Sequence, residues 1–114
     1  MPFDQAERLM AEAIVGAFIT RRRLSAHIRE KLDYGFRLVG QSVELLEIRP
    51  RFQKPSEKAA HAFAKATYVK ARDIWKVYWM RGNLKWYPYQ PSEVKNLADF
   101  IKLVEEDKDH CFFG

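Results

Sequence analysis

Glu47, Arg49 and Arg51 stand two residues apart in the run Val43–Phe52, a spacing that puts all three side chains on one face of an extended strand. A carboxylate beside two guanidiniums is the equipment for metal-free phosphodiester cleavage. The glutamate would take a proton from the attacking hydroxyl, and the arginines would clamp the phosphate. The same trio also makes an ordinary structural ion pair, and that reading is the stronger. No catalytic residue is assigned, and a toxin-type ribonuclease using Glu47, Arg49 and Arg51 stands as the alternative function. A second group is basic and aromatic: Lys76, Tyr78, Met80, Lys85, Tyr87 and Tyr89. If they share one face of a sheet, the lysines can neutralise phosphates while bases stack on the rings. Tyr and Lys also cover sheets through their apolar bodies, so a plain structural face is the competing reading.

Other chemistries find little support. His27, His61 and His110 are widely separated, and no pair has helical ligand spacing, so no metal site is assigned. Cys111 follows His110 directly, and neighbouring side chains do not face each other on a helix or strand. The five glycines, at 16, 35, 40, 82 and 114, form no phosphate-cradling fingerprint. No cofactor is expected.

Charge sharpens the basic reading. The 114-residue chain carries a net +5, unevenly spread. Residues 1–20 hold one Arg against three acids, residues 21–89 sixteen cations against six acids, and residues 90–114 three Lys against six acids. A basic middle between mildly acidic ends suggests an electropositive sheet, read either as a solvated surface with ordinary ion pairs or as a surface that attracts a polyanion. At 47% hydrophobic and 14% aromatic, the chain can build a core. One cysteine excludes an internal disulfide framework. No apolar run reaches the ~20 residues of a membrane span. Met1-Pro2-Phe3-Asp4 lacks the layout of a signal peptide, so the expectation is one cytoplasmic domain, residues 1–114, away from membranes.

The elements that must position these groups follow from periodicity. Asp4 and Glu7 have capping-box spacing, and Ala6, Leu9, Met10, Ala13, Ile14, Ala17 and Phe18 recur as a helical stripe. Arg21, Arg22 and Arg23 suit the helix C-terminus, and equally suit a phosphate. Residues 25–31 suggest a short helical turn. From Leu32 the period becomes two, with Tyr34, Phe36 and Leu38 on one face. Gly40-Gln41 reads as a type II′ hairpin turn, which sets Leu38 opposite Val43, Arg37 opposite Glu44 and Phe36 opposite Leu45. Residues 53–60 read as a loop. Phe63–Lys70, Ile74–Arg81 and Leu84–Tyr89 read as strands. A two-residue Gly82-Asn83 turn pairs Trp79 with Trp86 and Tyr78 with Tyr87, leaving the lysines and tyrosines together on the face opposite the tryptophans. A three-residue loop would regroup them. Asn96 caps a last helix whose stripe is Leu97, Phe100, Ile101 and Val104, and the acids 105–107 suit its C-terminal end poorly. The apolar Cys111-Phe112-Phe113-Gly114 end is expected to dock on the domain. The fold class is therefore α+β: an N-terminal helix, an antiparallel sheet of about five strands in hairpin order, and a C-terminal helix.

The stretches Val43–Phe52, Ala64–Lys70, Trp75–Arg81 and Lys85–Tyr89, with Cys111-Phe112-Phe113-Gly114, resemble a small bacterial family catalogued as a domain of unknown function, number three-zero-two-four. The resemblance covers roughly residues 20–114. It implies prokaryotic origin and one domain, and carries no catalytic residues over. The family's pattern often has His where this chain has Tyr87, which weakens any case for a general base or metal ligand there.

The function expected is a binding module that takes RNA or DNA on a basic, aromatic sheet surface, with Arg49, Arg51, Lys65, Lys70, Lys76, Tyr78, Lys85, Tyr87 and Tyr89 as contact residues. A protein-interaction subunit, bound to a partner or to a second copy of itself, is a further alternative.

Overall fold

The computed structural model describes residues 3–22, 28, 31–108 and 111–112. Helix α1 (Gln5–Arg22) leads into five strands, β1 (Asp33–Val39), β2 (Ser42–Pro50), β3 (Lys58–Val69), β4 (Ile74–Met80) and β5 (Trp86–Val94), and helix α2 (Leu97–Glu106) follows. The strands form one antiparallel sheet in the order β1-β2-β3-β4-β5. The fold is α+β, as the hairpin spacing of the sequence implies.

Both helices lie on the same side of the sheet. The core joins Ala11, Val15 and Phe18 of α1 and Leu97, Phe100, Ile101 and Val104 of α2 to Tyr34, Val43, Leu45, Ala64, Ala66, Trp75, Val77 and Tyr89 of the sheet. Register explains this membership. Leu38, Val43, Ala66 and Val77 stand in one row across four strands, and Phe36, Leu45, Ala64, Trp79 and Tyr87 stand in the next. Side chains alternate along each strand, so both rows face the helices. Ala64 and Ala66 on the central strand keep the floor low, which leaves room for Phe18 and Phe100 above it. Arg21 reaches Glu105 at 3.3 Å and ties the two helices together.

Local signals hold at both helix starts. Asp4 N–H donates to Glu7 Oε1 at 3.0 Å and Glu7 N–H to Asp4 Oδ1 at 2.8 Å, a complete capping box. Asn96 Oδ1 accepts from Asp99 N–H at 2.9 Å, and the four predicted stripe residues of α2 are all buried. Gly40 has φ 60, as the first central residue of a type II′ turn requires, and the β1–β2 register is the expected one.

Four expectations are corrected. In α1 the buried face is Ala11, Val15 and Phe18, while Leu9 and Met10 are 60% and 53% exposed. Apolar residues stand on nearly every side of this helix, so spacing alone does not choose the buried one. Strand β3 starts at Lys58 rather than Phe63, because Ala59, Ala60, His61 and Ala62 pair with the end of β2. Phe63 is the extra residue of a bulge between the pairs Leu45–Ala64 and Leu46–Ala62, and its ring packs edge-on to Tyr34 at 6.3 Å. Strand β5 runs on to Val94, and its two prolines are tolerated because it is an edge strand.

The fourth correction alters the candidate site. The β4–β5 loop has three residues: Arg81 N–H donates to Lys85 O at 3.1 Å, Leu84 N–H to Arg81 O at 2.9 Å, and Leu84 takes φ 62. A turn followed by one left-handed residue is the usual three-residue hairpin. Trp79 therefore pairs with Tyr87, Met80 with Trp86 and Tyr78 with Pro88. The predicted pairs Trp79–Trp86 and Tyr78–Tyr87 do not form. Phe112 docks as expected, its ring 4.8 Å from that of Tyr89 and its N–H bonded to Asp107 Oδ1 at 3.0 Å. The turn at 25–31 lies largely outside the described residues, as do Arg23, His27, His110 and Phe113.

Candidate nucleic-acid interface

Among the described residues, no helix covers the second face of the sheet. Its central row is Arg37–Glu44–Lys65–Tyr78–Pro88, one residue from each strand. Beside it run Ser42, Thr67, Lys76 and Glu93 on one flank, and Met80 and Trp86 on the other. Arg37 Nε meets Glu44 Oε1 at 2.7 Å, and the Glu44 residue is only 8% exposed. Ser42 and Thr67 share a hydroxyl–hydroxyl bond of 2.7 Å. Every strand thus contributes to one polar, aromatic surface held by cross-strand pairs.

Lys65 is the centre of that surface. Its Nζ lies 4.8 Å from the ring centroid of Tyr78 and 4.7 Å from that of Trp86. Burial between the rings lowers its pKa from the ordinary 10.5, and the Glu44 carboxylate beside it works in the opposite direction. The ammonium thereby holds both rings in place while staying half-buried itself. Lys76 is exposed on the same face. Two half-buried rings next to an exposed cation can offer a base a stacking surface and its phosphate a counter-charge.

The structure divides the rest of the predicted set. Tyr87 and Tyr89 stand on the helix side, because the three-residue loop reverses their facing. Tyr89 is 3% exposed, stacked on Phe112. Tyr87 accepts a 2.7 Å hydrogen bond from Asn83 Nδ2 and lies 4.7 Å from the Arg81 guanidinium. Lys85 pairs with Arg81 beyond the strand ends, and Lys70 sits exposed in the β3–β4 turn. Trp86 takes the place expected of Tyr87. The two-residue turn rule hides Trp86, and only the loop length reveals it.

Arg49 and Arg51 belong to a separate region, the far end of the β2–β3 hairpin. Arg49 Nε meets Glu47 Oε2 at 3.4 Å, while Arg51 Nε turns to Glu57 Oε2 at 3.6 Å. The trio of Glu47 and two arginines does not converge on one point. Register instead places His61 directly opposite Glu47, a neighbour that the sequence spacing does not show. A cavity of about 650 Å³ lies alongside, lined by Arg51, Phe52, Lys54, Glu57 and His61 among others. Phe52 at its rim is 98% exposed.

Among the described residues, no three His, Cys, Asp or Glu side chains are grouped to hold a metal ion. No helix among them is long and apolar enough to cross a membrane. The chain belongs to the family described as Domain of unknown function (DUF3024), which matches residues 3–114. No curated protein and no solved structure matches it.

Proposed function

We propose that this DUF3024 domain binds single-stranded nucleic acid on the helix-free face of its sheet. The observation that carries the reading is the placement of both helices on the other side, which leaves Lys65, Lys76, Tyr78 and Trp86 together on the uncovered one. The chain's +5 charge, concentrated in residues 21–89, favours approach of a polyanion to the sheet. Stacking on Tyr78 and Trp86 supplies contact without base-specific hydrogen bonds, which favours weak sequence preference.

Titration of a labelled single-stranded oligonucleotide at increasing salt tests this. Affinity falls steeply with salt if phosphates are neutralised by side chains of this face. Absence of binding near physiological salt refutes the proposal.

A second reading, a metal-free ribonuclease on the β2–β3 hairpin, is favoured by the position of His61 opposite Glu47 with Arg49 at 3.4 Å from the carboxylate. A carboxylate base, an imidazole acid and a guanidinium clamp complete the groups such a reaction needs. Incubation of RNA with the protein in EDTA separates the two: cleavage supports this reading, and retention without cleavage supports the first.

A further inference from the structure

On the helix side, away from the proposed nucleic-acid face, a cavity of about 400 Å³ opens where the start of α1, the start of α2 and the β3–β4 turn meet. Its aromatic lining is Phe3, Tyr68 and Trp75, with ring centroids 5.8 Å apart for Phe3–Trp75 and 5.0 Å for Tyr68–Trp75. Glu7 and Asp73 stand among the lining residues, and among the described residues Lys95 is the one Lys or Arg there.

We propose that this cavity binds a small organic cation of the alkylammonium class. Three aromatic rings on one lining attract a desolvated ammonium more than a neutral group of the same shape, and two carboxylates on that lining add Coulombic attraction. A volume of about 400 Å³ holds a small molecule. The two carboxylates are only partly used internally. Glu7 accepts the Asp4 N–H through Oε1, and Asp73 accepts the Tyr68 hydroxyl through Oδ1 at 2.8 Å, which leaves the second oxygen of each for a ligand. The field is felt at the lining itself: the Tyr68 hydroxyl resists ionisation first through its bond to Asp73, then through burial and the charges of Asp73, Glu7 and Asp4. Lys95 and the two helix N-termini oppose a cation. Lys95 is exposed, as is Asp73, so water screens both, and the half-buried Glu7 with the aromatic rings supplies the less screened attraction.

The test compares choline with 3,3-dimethyl-1-butanol, its neutral carbon isostere, by NMR titration of the intact chain at fixed ionic strength. Choline shifts the Tyr68, Asp73 and Trp75 signals saturably, and the alcohol binds about tenfold more weakly, as a desolvated cation–π contact requires. Asp73→Asn and Glu7→Gln each weaken choline several-fold and narrow the gap between the two ligands. Asparagine tolerates the φ 51 of position 73, and glutamine can still accept the Asp4 N–H, so either variant alone carries the test if the other fails to fold. Equal affinity for the two ligands, no saturable shift with choline, or unchanged choline affinity in the folded variants overturns the proposal.

Discussion

The Lys65 ammonium lies 4.7 Å from the centroid of the Trp86 ring, with the Tyr78 ring at 4.8 Å from the same atom. Its pKa is lowered by burial, so the folded chain releases this proton more readily than the unfolded one. Between the lowered value and 10.5 the unfolded state binds more protons, and this group therefore makes stability rise with pH across that window. Lys65→Met keeps the length and removes the charge. Urea unfolding at several alkaline pH values is expected to show a rise in wild type that is smaller in the variant. Parallel curves for the two proteins would show that the ammonium is not strained by burial.

The β1–β2 hairpin and the stripe of α2 were legible in the sequence because each rests on one local rule: a glycine at the first turn position, and apolar residues on one side only. The β4–β5 hairpin was not, since Gly82-Asn83 satisfies the two-residue rule while the chain uses Leu84 in a left-handed conformation that branched apolar residues rarely adopt. Asn83 holds the longer loop, through Oδ1 to Lys85 N–H at 3.1 Å and Nδ2 to Tyr87 at 2.7 Å. Asn83→Ala removes both bonds. It is expected to lower stability by about 1–2 kcal/mol in chemical denaturation, with intrinsic tryptophan fluorescence reporting any change around Trp79 and Trp86.

Helix α1 offers a second test of what spacing cannot decide. Val15 is fully buried and Leu9 is mostly exposed, although both sit on apolar stripes of the same helix. Val15→Ala is expected to cost about 2 kcal/mol, through lost burial and the space left behind. Leu9→Ala is expected to change stability by less than about 0.5 kcal/mol, as at other exposed positions. Equal losses would mean that the exposed stripe of α1 is covered in solution, by a second copy or another part of the chain.

Tyr68 donates its hydroxyl proton to Asp73 Oδ1 at 2.8 Å, and this bond is the largest cause of its raised pKa. A phenol that ionises later when folded stabilises the fold below pH 10.0, and that contribution is lost as pH rises through the raised value. Ultraviolet titration is expected to show a Tyr68 step above the ordinary 10.0. Tyr68→Phe removes that step, and Asp73→Asn moves it back toward 10.0. A late step that survives Tyr68→Phe assigns it to another tyrosine.

Lys76 and Lys85 separate the two possible sheet faces most directly. Lys76 stands opposite Thr67 and Glu93 on the helix-free face, exposed and two residues before Tyr78, which shares that face. Lys85 pairs with Arg81, and the alternation that puts Trp79 on the helix side puts Arg81 there as well. The Arg81 guanidinium lies 5.3 Å from the Trp79 ring and 4.7 Å from Tyr87, in agreement with that placement. Reversing Lys76 therefore acts on the proposed interface, whereas reversing Lys85 acts outside it. Lys76→Glu is expected to weaken oligonucleotide binding at least tenfold, roughly 1.4 kcal/mol, and to reduce the slope of log affinity against log salt by about one. Lys85→Glu is expected to change affinity less than threefold and to keep wild-type stability within about 0.5 kcal/mol because its side chain is exposed. Lys76→Glu, facing Glu93 across the strands, is expected to lose no more than about 1 kcal/mol of stability. Fluorescence anisotropy at three salt concentrations, with denaturation curves for both variants, measures all of these quantities. Equal losses from the two lysines would mean that nucleic acid is held by overall charge alone, and a larger loss from Lys85 would move the interface to the helix side of the sheet.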